Sequence, residues 1–209
     1  MKNIHKTLAS LAALSATMGL LKPAMAQDAT LVISGQVTSS TCALKITIGS
    51  IASNSSSASP ATRTINMGTQ TSTATAANTL IGAKTVAQFD LRNAADTGPC
   101  TSGSTWNLML NLTSAQITPA GSDTAVVNSL LASGGTNAGA ALFGGTNTTA
   151  SSRLNLVAFT DLTNATKVNS TNVLMNAPLY IGAQFVTTSA AAPTVGAYSA
   201  AIPLYILYN

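Results

Sequence analysis

Between Thr30 and Thr38 the side chains alternate, with Leu31, Ile33, Gly35 and Val37 on one side and Val32, Ser34, Gln36 and Thr38 on the other. The last segment, Tyr198 to Asn209, alternates again. There Ile202, Leu204, Ile206 and Tyr208 share one face, and Ala201, Pro203, Tyr205 and Leu207 share the other. Period two marks a strand, because successive side chains of an extended backbone point to opposite sides. Termini are normally polar and frayed, and an exposed apolar strand is an aggregation hazard that charges or prolines usually blunt. From Ala29 to Val37 there is no charge at all. The N-terminal strand therefore pairs within its own sheet or with another molecule, strand addition being an established mode of recognition.

The remaining sequence also reads as all-β. Ala43 to Ile48, Thr64 to Gln70 and Thr85 to Arg92 have strand composition, and Asn93 to Ser104 turns the chain at Gly98-Pro99-Cys100. Trp106, Leu108, Leu110 and Leu112 fall on one face of a further strand, as do Leu179, Ile181, Ala183 and Phe185 within Val173 to Val186. Leu154 to Phe159 reads as a strand as well. Val126 to Leu131 fits a helical turn or a strand, because a short apolar run does not separate the two. The serine-rich tract from Ser50 to Thr62, with Pro60, is expected to be a loop too polar to bury. Gly134-Gly135-Thr136-Asn137 recurs as Gly144-Gly145-Thr146-Asn147. With no lysine and no helix after it, the repeat reads as two turns flanking a short segment rather than a phosphate loop. Several short strands with turn signals between them suggest a sandwich.

Ahead of this lies a stretch with the marks of a secretory leader. Lys2 and Lys6 precede an apolar run from Leu8 to Leu21, and Ala24-Met25-Ala26 offers a small-x-small cleavage site. Cleavage after Ala26 leaves 183 residues, enough for one ordinary domain. It also leaves six basic residues against five acidic ones, so there is no electrostatic footprint for nucleic acid or anionic lipid. The only histidine, His5, departs with the leader, and the chain has no glutamate. General acid–base chemistry needs paired groups with shifted pKa values, and the five aspartates are scattered singly. Two cysteines without histidine cannot fill a zinc tetrahedron. No enzyme, cofactor or metal site is expected. No second apolar run reaches the length of a membrane span of about 20 residues.

Cys42 and Cys100, in an exported chain, are expected to form one disulfide. Closing such a loop stabilises by roughly 4 kcal/mol through lost entropy of the unfolded chain. A reactive pair would want Cys-x-x-Cys spacing or a cationic neighbourhood, and has neither. Charged residues are 7% of the chain, against about 25% in average proteins. A surface so poor in charge suits an extracellular polymer.

Several motifs then fall in a familiar order. Thr30 to Val37 is followed by Cys42, with Gly35 seven positions before that cysteine. Thr64-Ile65-Asn66-Met67-Gly68 ends in an apolar-Gly pair, and Phe89-Asp90-Leu91 leads toward Cys100. Tyr208 is penultimate, and Gly196 is the fourteenth residue from the end. In these features the chain resembles subunits of chaperone–usher fimbriae of Gram-negative bacteria, the type 1/P-pilus-like major pilins. The resemblance covers essentially the whole chain after the leader, with Ser114 to Asn155 matching loosely. The interval between the cysteines is long for that family, and the segment ahead of Gly35 is short.

The resemblance implies an incomplete immunoglobulin-like β-sandwich lacking its last strand and completed by donor-strand complementation. Residues 1–26 would be the signal peptide, 27–40 the N-terminal donor-strand extension and 41–209 the pilin domain. Leu31, Ile33, Gly35 and Val37 would be the donor residues, with Gly35 over the shallowest part of a neighbour's groove. Gly196, Ile202, Leu204, Ile206 and Tyr208 would border the acceptor groove and meet the periplasmic chaperone. Pro203 removes one backbone donor from that strand, which is tolerable beside a gap. The implied partners are identical or related pilin subunits, the chaperone and an outer-membrane usher. Export would run through the periplasm to an extracellular fimbria that supports adhesion. The alternatives are a minor or tip adaptor subunit and a secreted lectin-like sandwich. Trp106, Phe89, Phe159 and Phe185 are expected in the core.

Overall fold

The structure, a computed structural model, describes residues 27–35, 42–55, 60–70, 74–127, 135–194 and 196–208. The expected leader (residues 1–26), Val37, residues 128–131 of the ambiguous Val126 to Leu131 run and Gly134 of the glycine repeat lie outside these. The described residues form strands joined by turns, with one 3-10 turn at Ser114–Gln116 and no α-helix. Two sheets pack face to face as a sandwich, with strands numbered here in chain order.

The smaller sheet contains β1 (Gln27–Gly35), β4 (Ala61–Gln70), β6 (Thr105–Leu110) and β14 (Tyr198–Tyr208). Two short strands, β11 (Thr166–Lys167) and β12 (Val173–Leu174), both pair with β6. Its order is β11-β6-β14-β1-β4. The larger sheet contains β2 (Cys42–Ile48), β3 (Ile51–Asn54), β5 (Leu80–Asn93) and β13 (Leu179–Thr187). It continues with β9 (Ala138–Gly145), β8 (Asp123–Val127) and β7 (Ile117–Ala120), in the order β3-β2-β5-β13-β9-β8-β7. A two-residue strand, β10 (Ser152–Arg153), pairs with the far end of β9.

Alternation places the core. Leu108, Leu110 and Trp106 on β6 face Leu179, Ile181 and Phe185 on β13 in one buried cluster with Leu44, Ile46 and Phe89. The Trp106 indole donates to the Ala177 carbonyl at 3.0 Å, so the largest core side chain carries no unpaired donor. A second, smaller cluster covers the opposite face of the larger sheet, where Phe143, Tyr180 and Val186 pack with small alanines. That is why β13 is buried on both faces.

Three expectations need correction. The tract from Ser50 to Thr62 is not simply a loop, because Ile51–Asn54 forms a hairpin with β2. Ser55 is buried at its end, donating through its backbone to Leu44 O and accepting Leu44 N–H on Oγ, both at 2.8 Å. Polar side chains satisfied by backbone can be buried after all. Residues 56–59 of that tract lie outside the described residues. Leu154 to Phe159 is not a strand: Leu154 and Leu156 are buried, but the segment is tied by scattered bonds such as Phe159 N–H to Leu112 O at 2.7 Å. Phe159 is not in the core either. It lies half-exposed on the outer face of the smaller sheet, its ring 4.8 Å from that of Tyr205.

Cys42 and Cys100 are joined in a disulfide, with Cα atoms 5.3 Å apart. The bond ties the start of β2 to the turn after β5, where Cys100 N–H also donates to Leu91 O. Replacing both cysteines with alanine should lower stability by about 2–5 kcal/mol, readable as a shift of the urea midpoint at constant slope. Beside the disulfide, Asp96 receives Lys45 Nζ at 2.8 Å and Arg92 Nε at 3.0 Å. The Lys45 hydrogen bond is the main cause that holds the Asp96 carboxyl below its ordinary value. A depressed carboxylate stabilises the fold above its unfolded pKa near 3.8 and loses that contribution as pH falls through the lower folded value. Asp96→Asn should therefore reduce stability at neutral pH by no more than about 1 kcal/mol, the worth of a part-exposed pair. The deficit should vanish below the folded pKa, which denaturation at neutral and acid pH measures.

Candidate functional site

The candidate site is the gap between β14 and β4. These strands do not pair with each other; β1 lies between them. On one side β1 runs antiparallel to β4, with a bulge where Ala29 opposes Gly68 and Thr30 opposes Asn66. On the other it runs parallel to β14, the one parallel pair among the described strands. Leu31 sits opposite Ala200, Ile33 opposite Ile202 and Gly35 opposite Leu204.

The alternation read in the sequence sets which side chains enter the gap. Leu31 and Ile33 are fully buried, while Val32 and Ser34 between them are part-exposed. Each of the two buried side chains stabilises by about 1.5–3 kcal/mol relative to exposure. Gly35 is buried. A Cβ placed there would lie 2.6 Å from Leu44 Cδ2 and 3.3 Å from Leu204 Cβ. Glycine leaves room for the Leu44 side chain from the facing sheet, and any larger residue must displace it; no special turn is involved.

On β14, Ala200, Ile202 and Leu204 point inward, and Ala201, Pro203 and Tyr205 point outward. The even positions from Tyr198 to Leu204 thus face the core. Ile206 and Tyr208 are part-buried against the core and pair with β6 at Leu108 and Trp106, beyond the last described residue of β1. Gly196 lies just ahead of β14 with φ +155°, a conformation that favours glycine. Tyr198, which was not singled out in the sequence, anchors the start of β14. Its hydroxyl donates to Val126 O at 2.8 Å, its ring meets Phe185 edge-on at 5.4 Å, and burial pushes its phenol up so that it stays protonated.

Pro203 does not weaken the gap. Its carbonyl accepts Asn111 N–H at 2.8 Å, toward β6, and the N–H and C=O of one strand residue point to the same side. The missing donor therefore faces β6, one residue beyond the end of that ladder at Leu204 and Leu110. The edge toward β1 keeps its bonds.

Among the described residues no three His, Cys, Asp or Glu side chains come together. No helix among them is long and apolar enough to cross a membrane. The chain matches no protein-family model and no curated protein.

Proposed function

We propose that this protein is a structural subunit of a chaperone–usher fimbria. It polymerises when its N-terminal strand inserts into the gap of a neighbouring subunit and completes an immunoglobulin-like sandwich. The observation that carries the reading is the strand-shaped slot between β14 and β4, filled by the first described strand with Gly35 packed against Leu44 and Leu204. Nothing in that pairing depends on the donor belonging to the same chain: the contacts are backbone bonds plus Leu31, Ile33 and Gly35. A periplasmic chaperone would hold the gap until the usher passes the subunit to its neighbour, and the product would be an extracellular fibre.

The seat of β1 within its own sheet favours a second reading, a self-contained sandwich acting as a secreted binding module. An unboiled denaturing gel of material sheared from cells separates the two. Strand exchange predicts a ladder that collapses to one band on boiling and disappears when Asp28 to Val37 are deleted behind the intact leader. A lone monomer band from the full-length protein, with no ladder before boiling, would reject polymerisation and leave the self-contained sandwich.

A further inference from the structure

Two aromatic rings stay outside the core. The main buried cluster holds, or has packed against it, five of the nine aromatic residues, and the second cluster holds two. The remaining two, Phe159 and Tyr205, are far apart in the sequence yet meet on the outer face of the smaller sheet. Their ring centroids are 4.8 Å apart and their planes are tilted by 47°. Tyr205 is 44% exposed, and Phe159 is part-exposed beside it. We propose that this pair is a binding platform for a neutral saccharide, which lays the C–H face of a pyranose ring against the aromatic rings.

The attraction comes from the aromatic quadrupole. The face of an aromatic ring is electron-rich, and the C–H bonds on the face of a pyranose carry the small positive charge that meets it. The hydroxyls around the edge of the sugar stay in water. The Tyr205 hydroxyl makes no hydrogen bond among the described residues and is free to meet one of them.

The surroundings select a neutral ligand. Tyr205 shares its face of β14 with the exposed Ala201 and Pro203. Beside Pro203 in register lie Ser34 of β1 and then Thr62 of β4. None of these carries a charge. Asp161, two residues past Phe159, is spent on its own turn. One carboxylate oxygen accepts the N–H groups of Thr163 at 2.7 Å and Asn164 at 2.9 Å, and the other accepts the Asn164 amide at 3.2 Å. In the cross-strand row through Tyr205, Lys167 is set apart by the buried Met109.

The size of the patch also fits a sugar better than a second protein. A stable protein interface buries about 800 Å² on each partner. A whole Phe or Tyr side chain offers about 150–250 Å², and these two are only partly exposed. The exposed Leu162, in the Asp161 turn, does not close that difference.

The platform is fixed before any ligand arrives. Phe159 N–H donates to Leu112 O at 2.7 Å, and the Asp161 turn holds the chain beyond it. Tyr205 sits in the β14–β6 ladder opposite Met109, whose complete burial gives the rings a filled floor. Ordering costs on binding are thereby reduced. Both rings belong to one chain, so the platform is present in the monomer. If subunits polymerise as proposed above, it recurs along the fibre, and multivalency raises weak single-site binding.

The test titrates the disulfide-bonded full chain with cellotetraose, a neutral β-linked tetrasaccharide, and separately with sorbitol, a polyol without a ring face. Aromatic and amide resonances are followed by NMR. Cellotetraose should give saturable shifts centred on Phe159 and Tyr205 that added sodium chloride does not weaken, and sorbitol should give none. Tyr205→Ala, at an exposed position, should keep the thermal transition and weaken cellotetraose binding by at least about tenfold. Tyr205→Trp should bind at least as well as the parent chain, and Phe159→Leu, which keeps apolar volume without a ring, should bind more weakly. No saturation up to about 20 mM cellotetraose, shifts centred elsewhere, an equal response to sorbitol, or indifference to both Tyr205→Ala and Phe159→Leu would overturn the platform.

Discussion

Gly35→Leu should unfold the protein at a markedly lower urea concentration than the parent chain. The first carbon of any side chain at this position would already meet Leu44 Cδ2 at 2.6 Å and Leu204 Cβ at 3.3 Å. Both neighbours are buried, Leu44 on the facing sheet and Leu204 on the adjoining strand, so a leucine at residue 35 must displace core side chains. Overpacking of this kind costs about 1–3 kcal/mol, and here the upper end is expected because β1 must lift from both layers at once. Against a total margin of about 5–15 kcal/mol, that is a large fraction. Gly35→Ala should show a smaller shift in the same direction. If the strand is exchanged between subunits, the same variant should fail as a donor yet still accept a parental strand. A mixed culture should then yield short fibres capped by the variant. An unchanged midpoint together with normal fibres would show that Gly35 is not packed against Leu44 and Leu204.

How much of this was legible beforehand depended on how cleanly apolar and polar residues alternate. β14 buries one face against the other sheet, so Ile202 and Leu204 stand out at period two, and on β6 the polar Asn107 sets off Trp106 and Leu108 although Asn107 and Met109 are buried as well. β13 packs Ile181 and Phe185 on one side and Tyr180 and Val186 on the other, which blurs the alternation and leaves its ends indistinct. The β2–β3 hairpin was hidden for a different reason. Composition registers Ser55 as polar, but its burial depends on bonds to Leu44, eleven residues earlier. The parallel pairing of β1 with β14 joins segments far apart in the sequence, and no local pattern carries a register across that separation. Asn107 is a lone amide inside the apolar run Trp106 to Leu110, and the partners that let it be buried, Asn169 and Thr171, lie far along the chain.

A chain lacking residues 27–37 should not persist as a folded monomer, and a synthetic peptide of that sequence should restore it. Removing β1 strips two strands of their hydrogen-bonding partner at once, β4 along its whole length and β14 from Tyr198 to Leu204. It also exposes the surface that Leu31 and Ile33 cover, about 1.5–3 kcal/mol for each side chain. Unpaired backbone groups inside the sandwich add to that loss. The sum is comparable with the whole stability of a domain of this size, so proteolysis or aggregation in the truncated chain is the expected result. The peptide supplies the same bonds without the tether, at the expense of association entropy. Restored near-ultraviolet dichroism and a stable one-to-one complex would show that the gap recognises the strand itself rather than its attachment. A Gly35→Leu version of the peptide, unable to seat beside Leu44, should bind at least about tenfold more weakly. Failure of the parental peptide, where the intact chain folds, would mean that the covalent link is indispensable. A strand that works only when tethered cannot join one subunit to the next, so the same result would remove the physical basis for polymerisation.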